Sequence, residues 1–170
     1  MTGVLVFKAI RPGRFNDAVF ATTIRAAAAK AAQDMHTDFK STTATWSHYV
    51  EFETLFDMNP GPTVFIGTDD KIYGYVNDGT VPHPIFPKHA KALSFQWGGK
   101  GSYRAKTTPG VIGSQPGGPT GPRVAKPYVQ HPGTKARRFD VAMLKRWDPR
   151  FKRRMEDAMS EAARASGHSI

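Results

Sequence analysis

Apolar residues recur at every third or fourth position in the first long segment, from Phe15 to about Lys40. Alanine and other strong helix formers fill the positions between them, and Asn16 stands where its side chain can cap a helix. The pattern therefore predicts a long N-terminal helix with one apolar stripe. The alanine side chains of this stripe are small enough to let the helix lie close against a sheet. The stripe consists of Phe20, Ile24, Ala28, Ala31 or Ala32, and Met35.

A strict alternation of apolar and polar residues follows, from Ala44 to Phe56. It predicts a half-buried antiparallel strand, with His48 as a hydrogen-bonded core residue on the apolar face. The residues Met58 to Pro62 form a predicted turn, and Thr63 to Asp69 form the second strand of a hairpin. The apolar face of the first strand carries Trp46, His48, Val50 and Phe52, and the other face carries Ser47, Tyr49, Glu51 and Glu53.

Further short segments extend the predicted sheet. Lys71 to Gly79 follows a turn at Asp69 and Asp70, with Ile72 and Tyr75 as its expected core anchors. Ala90 to Trp97 has the composition of another short strand, as does Gly3 to Ile10 near the start of the chain. These segments predict one small sheet with the long helix across one face.

The amino-acid composition of the chain changes between Gly98 and Pro127, where eight Gly and five Pro occur among few apolar residues. Such a composition predicts a long loop or arm rather than an interior element. An ordered arm needs a surface to lie on, and we expect a neighbouring subunit to supply it.

Helical periodicity returns near Phe139, which we expect to be the first core anchor of a C-terminal helix. Asp148 and Pro149 have the character of an N-cap and a first-turn proline, so they predict a fresh segment or a kink at this point. The second part has an apolar line of Phe151, Met155, Met159 (or Ala158) and Ala162.

Together these elements predict the α+β class. The expected architecture is a small, mostly antiparallel sheet of about four strands, packed by the long N-terminal helix, with a long Gly/Pro-rich loop and a C-terminal helix. The 170 residues fit a single domain spanning 1–170, with the arm at about 98–127.

Composition narrows the function classes. Cysteine is absent, which excludes disulfides, thiolate metal sites and cysteine catalysis. We find neither a signal peptide nor a stretch long enough to span a bilayer, and so expect a soluble protein made in a cytoplasm. The net charge is +10, and its densest part runs from Arg123 to Arg154, with eleven Lys and Arg against two acids.

Candidate catalytic chemistry is weak. His83, His89 and His131 could form a three-nitrogen metal site, but no carboxylate stands at ligand spacing beside them. Glu51 and Glu53 share one predicted strand face, an arrangement that is common among surface glutamates. The chain has no phosphate-cradling loop and no GxSxG elbow. We therefore expect no enzyme and no cofactor.

Nucleic-acid binding is the stronger alternative, because basic residues interleave with aromatic ones in the C-terminal region. Such charge supplies sequence-independent affinity for DNA through counterion release. No known reader motif accompanies it, so this alternative is non-specific DNA binding.

Four stretches, taken in order, carry a resemblance to a known family: YGYVNDGT, IFPKHAKALSF, the Gly/Pro-rich insert, and VQHPGTKARRF before the terminal helix. This order resembles the neck proteins of long-tailed bacteriophages, the tail-completion or head–tail joining proteins that are also termed minor tail or minor capsid proteins. The resemblance covers residues from about 73 to 165. The content of the insert and the first predicted strand have no counterpart in it.

The resemblance implies a structural protein of the virion that is assembled in the host cytoplasm and has no catalytic activity. Copies would form a ring in the neck, six-fold like the tail below it. The implied partners are head-closure and tail-terminator or tail-tube proteins and genome DNA in the channel, without a membrane. The residues expected to contact a partner subunit or DNA are His131, Lys135, Arg137, Arg138, Arg153, Arg154, Lys88 and Lys91.

Overall fold

The computed structural model describes residues 14–168, so the strand predicted at Gly3 to Ile10 lies outside the described residues. The elements, in chain order, are α1 (Asp17–Thr43), β1 (Glu53–Asp57), β2 (Thr63–Gly67), α2 (Lys71–Asp78), β3 (His83–Ile85), β4 (Leu93–Gln96), β5 (Tyr103–Arg104), β6 (Gly118–Pro119), β7 (Arg123–Lys126), β8 (Val129–His131) and α3 (Phe139–Ala165). The predicted α+β class is confirmed, with long N-terminal and C-terminal helices and small antiparallel sheets.

The two long helices, α1 and α3, lie antiparallel against each other. At one end the Ser166 hydroxyl accepts a hydrogen bond from the Asn16 backbone, and at the other Trp147 Nε1 donates to Asp38 at 2.8 Å. Asn16 also caps α1, as predicted, by accepting from the Val19 amide. Small side chains let the helix backbones approach closely, and the buried ones are Ala28, Ala31, Ala32, Ala158, Ala162 and Ala163.

Helix α3 runs through Pro149 without ending, so the first of the two predicted outcomes, a fresh segment at Asp148 and Pro149, is wrong. A proline inside a helix removes one backbone hydrogen bond and costs about 3 kcal/mol relative to alanine. Burial on both sides of it, at Trp147 and at Met155, offsets that cost because both side chains reach the helix interface. Tertiary packing therefore overrides the local signal.

The hairpin of β1 and β2 packs on α1 in the predicted order. Leu55 pairs with Phe65 on its outer face, and both side chains remain exposed. The first strand is shorter than predicted, because residues 44–52 are not strand. Val50 and Phe52 are nevertheless buried, as the alternation requires.

The segment after Asp70 is a helix, α2, and not a further part of the sheet. Its core residue is Tyr73, whereas the expected anchors Ile72 and Tyr75 are exposed by 48% and 59%. The Asp70 carboxylate accepts a hydrogen bond from the Tyr73 amide at 2.7 Å, which starts the helix. The β-branched and aromatic residues of this segment favoured a strand, although Asp70 is a typical helix N-cap.

An aromatic cluster joins α2, α3 and the approach to β1. Phe139 is fully buried at the first position of α3, which confirms it as the first core anchor of that helix. The Tyr73 ring lies 5.5 Å from the Phe139 ring and 5.1 Å from the Phe52 ring, between centroids. Burying an aromatic side chain of this size contributes about 2 to 3 kcal/mol.

The remaining six strands form a long two-stranded β-ribbon, residues 80–134. They do not belong to a single four-stranded sheet, as the sequence predicted. The β3 strand pairs with β8, β4 with β7, and β5 with β6, all antiparallel, so each pair nests inside the one before it. With the hairpin of β1 and β2, the described chain has four separate two-stranded sheets. The predicted strand at Ala90 to Trp97 is confirmed as β4.

The far end of the β-ribbon curls back onto its own chain. Lys106 Nζ donates to the Thr45 carbonyl at 2.9 Å, and the Ser114 hydroxyl donates to the Ser41 carbonyl at 2.9 Å. Thr107 is buried, and the Gly110 amide donates to the Arg137 carbonyl. The Gly/Pro-rich segment therefore rests on the end of α1 and on the base of α3, whereas the sequence led us to expect a neighbouring subunit beneath it.

None of the helices between residues 14 and 168 is both long and apolar enough to cross a bilayer.

His48 is not a core residue, which corrects the prediction from the alternating pattern. Its ring is 43% exposed and contacts the Asp70 carboxylate at 2.5 Å. The hydrogen bond from His48, followed by the one from the Tyr73 amide, lowers the pKa of Asp70 below its ordinary value of 3.8. Asp70 thus joins the loop before β1 to the start of α2.

We expect Asp70→Ala to lower the free energy of unfolding by about 1 kcal/mol, because the helix loses its cap. Asp69→Ala, which changes an exposed neighbour, should have little effect.

Because the folded pKa of Asp70 is depressed, its charge stabilises the fold above the ordinary pKa, and this contribution is lost as the pH falls through the folded pKa. Denaturant unfolding of wild type and Asp70→Asn should give a difference at pH 6 that shrinks as the pH falls below the ordinary value of 3.8. A difference that stays constant as the solution is acidified further contradicts this assignment.

Candidate interaction site at the ribbon base and along helix α3

Two of the four stretches on which the resemblance rests, YGYVNDGT and VQHPGTKARRF, meet at the base of the β-ribbon. Thr80, from the first stretch, donates its amide to the Thr134 carbonyl at 2.9 Å, and the Thr134 amide donates back to the Thr80 carbonyl at 3.1 Å. The Thr80 hydroxyl accepts a further hydrogen bond from the Thr134 amide. Segments more than fifty residues apart in the chain thus form one backbone junction.

Glycine is required on both sides of this junction. Gly79 has a φ of 80°, and a Cβ there would lie 2.6 Å from the Thr134 carbonyl oxygen. Gly133 has a φ of 86°, and its Cβ would overlap the Thr80 carbonyl oxygen. Both positions therefore combine the left-handed conformation with a backbone approach that leaves no room for a side chain.

Asn77 connects the junction to helix α3. Its side-chain oxygen accepts a hydrogen bond from the Phe139 amide at 2.8 Å, and its carbonyl accepts from the amides of Arg137 and Arg138. The residue before the helix, Arg138, is left-handed with a φ of 55° and offers no side-chain cap. Asn77, which lies at the end of α2, caps α3 in its place.

Arg137 is an internal structural residue rather than a free basic group. Its Nε donates to the hydroxyl of the buried Thr107 at 3.1 Å, while its backbone bonds to Val76, Asn77 and Gly110. Lys135 and Arg138, on either side of it, are exposed. Of the three predicted contact residues in this stretch, these two remain available to a partner.

His131 lies across the ribbon from His83, with the ring centroids 5.1 Å apart. Its Nδ1 accepts a hydrogen bond from the Gly133 amide, and His83 Nδ1 contacts the Val81 carbonyl at 2.8 Å. The structure thus brings together two of the three histidines considered for a metal site. His89 does not complete a set, since no group of three His, Asp or Glu side chains in residues 14–168 is placed to hold a metal ion.

Lys88 and Lys91 lie in the loop between β3 and β4, and both are exposed. This loop interrupts the ribbon where the opposite strand continues almost directly from β7 to β8. The two lysines therefore belong to the side of the ribbon, apart from the basic residues of α3.

Arg153 and Arg154 lie in the second half of α3 and differ in their surroundings. Arg153 is exposed, whereas Arg154 donates to the Asp34 carboxylate of α1 at 2.9 Å. Burial opposes ionisation of Asp34, but hydrogen bonds and charge from Arg154 and Lys30 outweigh it, so the pKa of Asp34 lies below its usual value. At 1.5 Å per residue, Arg153 is about 22 Å along the helix from Arg138, so the predicted contact residues do not form one compact patch.

Part of the basic charge on α3 is neutralised within the chain. Arg146 pairs with Asp38 at 3.2 Å, as Arg154 does with Asp34. Arg150 and Arg154 also lie over the face of Trp147, at 5.7 and 5.9 Å from the ring centroid. The two ion pairs join α3 to α1. Arg153 is left as the predicted contact residue of this half-helix with an exposed side chain.

Exposed aromatic residues of the β-ribbon are the candidate contact groups that the sequence argument missed. The Phe86 and Tyr128 rings lie 5.9 Å apart, and their side chains are 61% and 55% exposed. The exposed side chains of Ile85, Trp97 and Tyr103 line a separate depression on the ribbon. The sequence pattern could not single out these residues, because it predicted one sheet with a covered face and not a two-stranded ribbon.

Comparison with protein-family models, with curated proteins and with solved structures yields no match to this chain.

We expect Gly133→Ala to lower the free energy of unfolding by about 3 kcal/mol or more, because the new methyl group overlaps the Thr80 backbone. Gly99→Ala is the matched control: Gly99 also has a positive φ, of 96°, but nothing lies within 4 Å of its Cβ position. That control should cost about 1 kcal/mol, from backbone strain alone. Thermal and denaturant unfolding measure both, and equal losses would show that the junction is not closely packed.

Proposed function

We propose that this chain is a structural subunit of the neck of a long-tailed bacteriophage, where copies form a ring that joins the DNA-filled head to the tail. The family identity comes from the resemblance of four stretches, two of which meet at the base of the β-ribbon. The observation that carries the structural role is the size and the apolar character of the exposed surface.

The surface is larger than that of a compact monomer. The chain of 18.7 kDa exposes 12762 Å², whereas a compact monomer of that mass exposes about 8,300 Å². Residues outside the described range, 1–13 and 169–170, would add at most about 2,400 Å² if fully extended. The described residues therefore expose roughly 2,000 Å² in excess, which is enough for a protein–protein interface of standard size.

Apolar side chains make up two distinct parts of this surface. One is the β-ribbon patch, defined by the neighbouring rings of Phe86 and Tyr128. The other is the outer face of the β1–β2 hairpin, where Leu55 and Phe65 are 65% and 58% exposed. A ring with head-to-tail contacts needs two different patches on each subunit, and this arrangement supports such a ring.

Non-specific DNA binding is the second candidate, supported by the basic residues that remain exposed. Arg138, Lys135 and Arg153 are free to contact phosphates. The candidate is weaker than the charge count implies, because Arg137, Arg146 and Arg154 are engaged within the chain. The two candidates are compatible if basic residues line the channel of the ring.

Disruption of the gene in the phage or prophage that carries it tests the proposal directly. We expect electron microscopy of the lysate to show filled heads beside separate, complete tails. Normally joined particles would overturn the neck assignment.

Complementation by variants then tests the β-ribbon patch. We expect Phe86→Ser combined with Tyr128→Ser to fail to restore infectious titre while keeping the wild-type melting temperature, since both side chains are exposed. Tyr49→Ser is the control, because Tyr49 is 74% exposed and lies outside the ribbon. If the double variant complements as well as the control, the patch is not a joining surface.

Duplex binding by the isolated chain separates the two candidates. The neck proposal without DNA contact predicts weak binding that is unchanged by Arg138→Gln combined with Arg153→Gln. Tight binding that falls steeply with salt and is lost in this double variant would favour the DNA-binding candidate. These two arginines are suitable because both are exposed, whereas neutralising Arg137 or Arg154 would break internal contacts.

A further inference from the structure

The net charge of the chain is concentrated in one segment, from Gly79 to Phe139. This segment contains ten Lys and Arg and no Asp or Glu. The whole chain has 24 Lys and Arg and 14 Asp and Glu, so the residues outside the segment carry equal numbers of basic and acidic side chains. The acid-free segment consists of the β-ribbon and its link to α3, and it therefore accounts for the full charge of +10.

The ribbon depression, which Ile85, Trp97 and Tyr103 line, is a concave part of this segment. Its volume is about 680 Å³, and strands β4 and β8 both contribute to its walls. Trp97 and Tyr103 are 47% and 61% exposed, and Lys135 lies at the same cavity. Among the described residues that line it there is no Asp or Glu. Two aromatic rings and a cation thus share one cavity that has no carboxylate in its walls.

The depression lies far from the points where the described chain starts and ends. Phe15 stacks on His168 at the C-terminal end of α3. The depression is beside the N-terminal end of that helix, where Arg137 lines it. The helix has 27 residues, which at 1.5 Å per residue separates the two places by roughly 40 Å.

The kind of charge in the acid-free segment favours a nucleic acid over a protein as the partner. Lysine is depleted in interfaces between proteins, yet six of the ten basic residues here are Lys. Interfaces with nucleic acids are much more positively charged than those between proteins. Each phosphate that a basic residue neutralises releases counterions, and this release supplies affinity.

The exposed aromatic rings favour a single strand over a duplex. The bases of a single strand stack on Trp and Tyr side chains, and they do so with little regard to sequence because every base has an aromatic face. In a duplex the bases stack on one another, so their faces are not available to protein side chains. Trp97 and Tyr103 line the same depression and so offer two rings to one strand.

We propose that the ribbon depression is a binding site for single-stranded nucleic acid, in which bases stack on Trp97 and Tyr103 and a phosphate pairs with Lys135. The other basic residues of the acid-free segment attract the strand through their combined field. Stacking and phosphate contacts make the binding independent of sequence. The site is separate from the exposed Arg138 and Arg153 that duplex binding would use, and it does not rest on the proposed ring.

Fluorescence anisotropy of a labelled oligodeoxythymidine, titrated with the full chain at low salt, tests the proposal. We expect the strand to bind more tightly than its duplex with oligodeoxyadenosine. Trp97→Ala and Tyr103→Ala should each weaken binding by about 5- to 150-fold, the range for the loss of one base–aromatic stack. No binding of the strand, equal or tighter binding of the duplex, or unchanged affinity in either variant would overturn the proposal.

Matched controls locate the site on the ribbon. Phe86→Ala and Tyr128→Ala also remove exposed rings, but these rings lie outside the depression, so both variants should keep the wild-type affinity. Lys135→Gln should lower the slope of log affinity against log salt by about 0.7, whereas Lys91→Gln, also on the ribbon but outside the depression, should leave it unchanged. Melting temperatures verify that each variant folds, and equal losses in variants and controls would contradict the assignment to the depression.

Tryptophan emission gives a second measurement that needs no variant. Of the three Trp side chains, Trp97 is exposed, Trp147 is buried and Trp46 is half-buried. A strand whose bases stack on Trp97 should quench part of the emission of the wild-type chain, and saturating binding without quenching would overturn the proposal.

Polyglutamate distinguishes a nucleic acid from an acidic protein as the occupant. It supplies negative charge without bases, so at an equal concentration of charges it should displace little of the bound strand. Complete displacement would overturn the proposal and assign the depression to an acidic protein.

Discussion

The backbone contact between Thr80 and Thr134 is the constraint on which the rest of the structure depends. It closes the β-ribbon at its base and fixes where α2 ends and where α3 begins. Two glycines make it possible, because any side chain at Gly79 or Gly133 would occupy the space of the opposing backbone. Once the contact is made, Asn77 is in position to cap α3.

From this junction the structure extends in two directions that differ in how they are stabilised. Towards α3, the buried Phe139 begins an interface of small residues and inter-helix ion pairs with α1. Away from it, the β-ribbon has no core of its own and is held by hydrogen bonds of its far end to α1 and to Arg137. Two-stranded ribbons are marginal alone, so these end contacts give the ribbon its curled shape.

The same division accounts for the surface. A ribbon that leaves aromatic side chains exposed loses hydrophobic stabilisation as a monomer, and it recovers that stabilisation when another surface covers them. The basic residues are of two kinds: several of them form contacts that stabilise the fold, while their neighbours stay exposed. The sequence could not separate these two groups, since Arg137 and Arg138 are adjacent and chemically identical.

The sequence by itself determined the long helices, the first hairpin, the core role of Phe139 and the α+β class, because each depends on periodicity within one segment. Only the tertiary structure decided that α2 is a helix, that α3 passes through Pro149, that His48 lies at the surface, and that the Gly/Pro-rich segment folds back on its own chain. In each of these cases a contact with a distant segment outweighs the local preference. The contacts, in the same order, are those of Tyr73 with Phe139, Trp147 with Asp38, His48 with Asp70, and Lys106 with Thr45. A pattern read along the chain carries no information about such partners, so the meeting of the two Gly-Thr turns became visible only in three dimensions.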